Sequence, residues 1–134
     1  MGDNVTGADA GQVTVIRGAD LAGAGRGDLL LRDGLVAEAG SVRAPKGAAV
    51  VDADGLVALP GLVDLHTHLR EPGREDAETV LTGSRAAAAG GFAAVLAMAN
   101  TSPVTDTAEA AERMLDLGRQ AGLVHVQPVG AVTR

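Results

Sequence analysis

The sequence predicts an α/β chain in which a small β module precedes a wound unit of parallel strands and helices. Three observations predict it. Short β-branched and leucine-rich runs before residue 60 are separated by Asp-Gly pairs. After Pro60-Gly61, apolar segments switch between strand and helix patterns in the order β-α-β-α-β. The connections between them are short, which implies parallel strands joined by right-handed crossovers.

Residues 1–11 are small and polar and are expected to be disordered. From Gln12 the grammar is that of strands. Val13-Thr14-Val15-Ile16 is rich in β-branched residues and is followed by Gly18. Asp28–Arg32 runs through Asp33-Gly34 into Leu35–Glu38, a strong hairpin signal because the tight primed turn requires φ > 0. A second hairpin is expected at Val50–Asp52, with Asp54-Gly55 as its turn and Leu56–Leu59 returning. Residues 12–59 thus form a small antiparallel β module.

Leu62–Leu69 reads as the first strand of the second unit. A helix is expected from about Asp76 to Ala89, stopped by Gly90-Gly91. Phe92–Met98 is a near-continuous apolar run, the form of a strand buried on both faces. Asp106 is the expected N-cap of a second helix from Thr107 to about Gln120, with Glu109 three residues on. Ala110, Met114 and Leu117 fall on its apolar face, and Glu109, Glu112, Arg113 and Arg119 on its wet one. Gly122 ends it, and Val124–Val129 is the third strand. The segment from Pro60 supplies three strands and two helices, either a small open sheet or the start of a (β/α)8 TIM barrel of roughly 250 residues.

Composition narrows the function. The 134 residues carry 17 Asp plus Glu against 11 Lys plus Arg, a net charge of −6. A nucleic-acid surface needs clustered cations to neutralise phosphates, so that partner is not expected. Phe92 is the only aromatic residue, which leaves base stacking without a platform. The absence of Cys excludes disulfides, thiolate nucleophiles and thiolate zinc sites. No apolar run reaches the ~18–20 residues of a membrane helix. Met1-Gly2-Asp3-Asn4 lacks the layout of a signal peptide, so a cytoplasmic protein is expected.

The chemistry concentrates in Asp64-Leu65-His66-Thr67-His68-Leu69-Arg70-Glu71-Pro72-Gly73. On a regular strand Asp64, His66 and His68 share one face, and Val63, Leu65 and Thr67 the other. Two imidazoles one residue apart can present a nitrogen each to one metal ion, and neutral imidazole suits zinc. Asp64 is a candidate to orient an imidazole from behind, or simply a buried hydrogen-bonding group. Catalytic zinc usually has about three protein ligands plus a water. The third histidine, His125, lies between Val124 and Val126 and is read as structural. The missing ligands are therefore expected beyond Arg134, which favours an incomplete barrel. Glu71, Glu75, Asp76 and Glu78 are read as solvated and capping residues near the first helix, where its dipole favours anions.

The run Pro60–His68 resembles the opening barrel strand of the cyclic amidohydrolases, in which a small β-sandwich precedes a metal-dependent (β/α)8 barrel. The extension His68-Leu69-Arg70-Glu71-Pro72-Gly73 is similar to that of the dihydroorotase family in particular, where Arg follows the second His by two positions. Ala99-Asn100-Thr101 resembles the Asn-Thr that closes the same family's second strand. The resemblance covers Gln12 to Arg134 but only the first third of a family member. It makes 12–59 a β-sandwich module and 60–134 the first three strands and two helices of an incomplete barrel.

Roles are implied with it. His66 and His68 would bind zinc at the more buried of one or two sites, and His68, Arg70 and Asn100 would line the substrate, the latter two holding its α-carboxylate. A guanidinium fork suits a carboxylate, and an amide offers a donor and an acceptor at fixed geometry. The catalytic Asp belongs to the family's last barrel strand, so no catalytic residue is expected within this chain. Family members bridge two metals with an Asp or a carboxylated Lys. The implied reaction is reversible cyclisation of N-carbamoyl-L-aspartate to L-dihydroorotate in pyrimidine (UMP) biosynthesis. In hydrolysis a metal-activated hydroxide attacks the ring amide. A cytoplasmic homo-oligomer is implied for the full-length protein.

Two alternatives stay open. A hydantoinase or allantoinase shares His-x-His but is not expected to keep Arg at position 70. A dihydroorotase-like scaffold partnering aspartate transcarbamoylase typically loses the histidines, and both are present here. The 134-residue chain alone is expected to be inactive and poorly folded, with its third strand an unpaired apolar edge.

Overall fold

A computed structural model describes residues 13–133, and the expected disorder over 1–11 lies outside the described residues. The chain divides after Leu59 into two units.

The first unit is one four-stranded sheet built from β1 (Val13–Asp20), β2 (Arg26–Arg32), β3 (Leu35–Gly40) and β4 (Ala49–Asp52), in the order β3-β2-β1-β4. The Asp33-Gly34 turn behaves as the dipeptide predicts. Both residues have positive φ, 52° and 77°, the signature of a primed turn whose twist matches the antiparallel strands it joins. Val15, Leu30 and Val42 form the buried core of this unit.

The second Asp-Gly pair does not make a hairpin. β4 pairs with β1 in parallel, and Leu56–Leu59 continues past it in the same direction, joined to β1 by a parallel bridge between Asp20 and Val57. The expected antiparallel module is therefore a mixed sheet. The reason is local. Gly55 alone has positive φ (76°), and the Asp54 N–H is taken by the Asp52 carboxylate at 3.1 Å. The Leu56 N–H closes on the Ala53 carbonyl, so the positive φ falls on the second central residue alone, which matches neither of the primed turns that close tight hairpins. The edge of β1 then captures the onward segment through the Asp20 N–H to the Leu56 carbonyl and the Ala58 N–H to the Asp20 carbonyl.

The second unit is β5 (Leu62–Thr67), α1 (Val80–Ala89), β6 (Phe92–Ala97), α2 (Ala108–Ala121) and β7 (His125–Pro128). Its three strands are parallel in the order β5-β6-β7. Val95 and Ala97 of the central strand are buried with Val80, Met114, Val124, Val126 and Leu69. Only that face of β6 is buried; Ala94 and Leu96 on the other are half-covered among the described residues, so the expected two-sided burial is not seen.

Both helices begin later than the sequence suggests. α1 starts at Val80, four residues past Asp76, because the backbone N–H groups of Thr79 and Thr82 each donate to the other's hydroxyl in a capping box. The segment before it closes as a turn on the Arg74 carbonyl. α2 is capped by Thr107, whose hydroxyl accepts the Ala110 N–H at 3.2 Å, one residue after the expected Asp106. Met114 is buried, Ala110 and Leu117 are half-buried, and Glu109, Glu112, Arg113 and Arg119 face water, as the spacing requires.

Candidate functional site

The C-terminal ends of β5 and β6 carry the residues the sequence singles out. β5 does not alternate cleanly. Asp64 pairs with Val95 and Thr67 with Ala97, so three steps on β5 oppose two on β6, which is a bulge. Val95 and Ala97 lie in the core beneath the helices, so Asp64 and Thr67 turn that way too. The Thr67 hydroxyl is accordingly buried, with no hydrogen-bond partner among the described residues. His66 and His68 flank Thr67 and project from the opposite face. The expectation that Asp64 shares their face is thus corrected. Its carboxylate accepts the backbone N–H of His66 at 2.9 Å rather than touching an imidazole, offering that amide a partner outside the ladder.

The two imidazoles lie with ring centroids 5.2 Å apart and planes at 67°, edge to face. The Nδ1–H of His68 donates to Oδ1 of Asn100 at 2.8 Å. An amide oxygen only accepts, so that ring nitrogen carries a proton, and in the neutral ring the lone pair is then on Nε2. His68 and Asn100 line a cleft of about 460 Å³ with Met98, Ala99, Val104 and Ala131.

Two loops hold these groups. In the β6 loop the Thr101 hydroxyl donates to the Pro103 carbonyl at 2.7 Å and meets the Thr105 hydroxyl at 3.0 Å, both side chains buried. In the β5 loop the Glu71 N–H closes on the Leu69 carbonyl at 2.8 Å around Arg70, whose φ is 62°. A three-residue turn with positive φ at its centre is rare and strained. The Arg70 side chain is exposed and makes no hydrogen bond or ion pair among the described residues, so the structure groups His66, His68 and Asn100 without it.

The loops are fastened to each other. The Ser102 N–H donates to the Pro72 carbonyl at 2.9 Å. Gly73, at φ 108°, approaches so closely that a Cβ would lie 2.6 Å from both Cβ and O of Ser102. Gly73 and Thr101 lie in the two segments that carry the family resemblance, but neither the Gly73–Ser102 approach nor the Thr101–Thr105 pair is foreseen from the sequence. The available signal was that Pro72-Gly73 and Ser102-Pro103 both begin five residues past the ends of their strands, Thr67 and Ala97.

The acidic cluster is structural. Glu71 accepts the Val80 N–H at 2.8 Å at the start of α1, Glu75 accepts the Gly73 N–H at 3.0 Å, Asp76 pairs with Arg74, and Glu78 accepts from the Thr82 hydroxyl. The Gly73 amide holds the Glu75 carboxyl below its ordinary pKa. His125 pairs with Ala94, beside Val63. It therefore lies two strands away from His66 and lower in the sheet by more than two residues of β6, roughly 7 Å at ~3.3 Å per residue, away from the imidazole pair. Among the described residues no three His, Asp or Glu side chains converge as a metal site, and no helix is long and apolar enough to cross a membrane.

Parallel strands alternating with helices, with imidazoles and an amide gathered at the strands' C-terminal ends, define an α/β protein of the kind that places its ligand site there. The chain belongs to the family described as Dihydro-orotase-like, whose family model matches residues 55–134. It is 66% identical over 119 residues to the dihydroorotase of Leifsonia xyli subsp. xyli, covering 89% of this chain and 27% of that protein. The dihydroorotase of Streptomyces coelicolor is 61% identical over 121 residues, covering 90% of this chain and 28% of that protein. Among solved structures, L-hydantoinase (dihydropyrimidinase) from Arthrobacter aurescens is similar with a TM-score of 0.72 at 27% identity, over 87% of this chain and 27% of that one. The chain therefore spans 27–28% of the length of these curated relatives.

Proposed function

We propose that residues 60–134 open the barrel of a dihydroorotase, which interconverts N-carbamoyl-L-aspartate and L-dihydroorotate. The observation that carries the reading is the paired imidazoles at the end of β5, one of them held through its Nδ1 by Asn100. Two imidazoles sharing one tetrahedral zinc, each at ~2.0–2.1 Å through one nitrogen, place their centroids about 5 Å apart. The separation of 5.2 Å fits that group. His66 and His68 would hold the ion, with further ligands in the part of the relatives' length that this chain does not span. When bound, zinc lowers the pKa of water toward neutrality and polarises a carbonyl.

The chain's own residues supply recognition. Asn100 lies on the cleft wall, and Arg70 follows the second histidine in the loop fastened to it. Together they would receive the substrate's α-carboxylate, a bidentate partner for the guanidinium. That anchoring turns the ring amide toward the imidazole pair, where water adds to the carbonyl, the C–N bond breaks and the nitrogen takes a proton from a carboxylic acid elsewhere in the full-length protein.

The same reading carries zinc, pyrimidine biosynthesis, a small β-sandwich before the barrel and a cytoplasmic homo-oligomer as its expectations. The test is turnover of L-dihydroorotate and hydantoin by the full-length protein, with Arg70→Gln beside it. Metal-dependent hydrolysis of dihydroorotate, with KM raised at least tenfold by Arg70→Gln, is the expected result. Preference for hydantoin with no response to Arg70→Gln would replace this reading with the hydantoinase one. Co-purification with aspartate transcarbamoylase without turnover would indicate a scaffold.

A further inference from the structure

We propose that Asn100 is a positioning residue for His68, fixing the tautomer that leaves Nε2 able to bind metal, while its amide N–H groups serve the cleft. This deepens the dihydroorotase reading and rests on it.

The argument begins with the inventory of the amide. Asn has one acceptor oxygen and two N–H donors. Oδ1 is engaged by the His68 Nδ1–H at 2.8 Å. The two N–H donors have no partner among the described residues, on a residue that lines the cleft. One side chain thus faces two directions with two chemistries: acceptance toward the imidazole and donation toward an incoming anion.

The orientation decides whether His68 can be a ligand. Were the amide reversed, its N–H would need the Nδ1 lone pair, the ring proton would move to Nε2, and the nitrogen aimed away from Asn100 would be blocked. Metal-binding imidazoles characteristically donate their other N–H to a carbonyl or carboxylate. Here the carbonyl is supplied by a side chain whose loop is fixed by the buried Thr101 and Thr105 hydroxyls. His66 has no such ring partner among the described residues, since Asp64 takes its backbone amide. The two histidines are therefore unequal, and His68 is the preorganised one.

Substitution can separate the two duties. Asn100→Asp keeps an oxygen for the Nδ1–H and loses both donors. Asn100→Leu loses acceptor and donors together. In the full-length protein, competition between Zn²⁺ and a chromophoric chelator measures metal affinity, and nitrogen-15 NMR of the metal-free protein reports the His68 tautomer. The expected result is that Asn100→Leu weakens Zn²⁺ binding about 10–100-fold and loses the Nδ1–H tautomer as the dominant form. Asn100→Asp then binds Zn²⁺ at least as tightly as the parent while KM for dihydroorotate rises. Equal Zn²⁺ affinity in all three proteins, or equal loss in both variants, overturns the proposal. Failure of the underlying reading shows differently: His66→Ala and His68→Ala would leave Zn²⁺ affinity unchanged, with Asn100 untouched.

Discussion

Replacing Gly73 by alanine tests whether the two loops work as one piece. The new Cβ would lie 2.6 Å from Cβ and O of Ser102 and 3.0 Å from its N. Carbon contacts settle at ~3.5–4.0 Å, so the loops must part by about 1 Å. That movement breaks the 2.9 Å bond from the Ser102 N–H to the Pro72 carbonyl, a net loss of about 0.5–1.5 kcal/mol. Holding a side chain at φ 108° adds about 1–3 kcal/mol. The sum, about 1.5–4.5 kcal/mol, falls on the loops that present Arg70 and Asn100. Gly91→Ala is the control, because Gly91 also has positive φ (82°) but an added Cβ there would meet nothing within 4 Å. It should cost only the backbone share, about 1–2 kcal/mol. The assay is hydrogen exchange at the Ser102 amide, with KM for dihydroorotate, the substrate proposed above, measured alongside on the full-length protein. Gly73→Ala should deprotect that amide and raise KM; Gly91→Ala should do neither. Indistinguishable behaviour of the two variants would refute the claim that the loops are locked together.

Three further predictions concern the scaffold. Met114→Ala removes a buried side chain at the helix–sheet contact and should cost about 2–5 kcal/mol in urea unfolding; a loss below 1 kcal/mol would mean the core closes around the gap. Thr79→Ala deletes the capping box of α1 and should cost about 0.5–2 kcal/mol, read as faster amide exchange in the first turn. The Glu75 carboxyl, held below its ordinary pKa by the Gly73 amide, binds its proton less tightly folded than unfolded. Its contribution is therefore present above the usual Glu pKa and fades as pH falls through the depressed folded value. Carboxyl-carbon NMR should show the low titration, and Gly73→Ala should return it toward the ordinary value.

Much of this fold is readable where the determinant is local. Asp33-Gly34 specifies its own turn, because two residues tolerant of positive φ are all that a primed hairpin needs. The same dipeptide at Asp54-Gly55 fails as a predictor, since the neighbouring Asp52 carboxylate and the open edge of β1 decide the path there. Helix existence follows from spacing, but the starts depend on which side chain captures an early amide: Thr79 sets that of α1 past Asp76, and Thr107 caps α2 in place of Asp106. At the site, the one-residue interval between His66 and His68 does foretell that their rings meet. The face of Asp64 does not follow from the same counting, because a bulge intervenes. Nor could spacing reveal that Asn100 holds His68, a contact across 32 positions of sequence.

The extra residue in β5 acts as a phase shifter. Three positions separate Asp64 from Thr67, yet both oppose the buried residues of β6, Val95 and Ala97, while the imidazoles beside Thr67 face the other way. Without the offset, one parity would govern both halves, and a carboxylate would have to accompany the imidazoles wherever they pointed. The offset lets one short strand keep its carboxylate on the side of the helices and send His66, with His68 just past the strand's end, to the other.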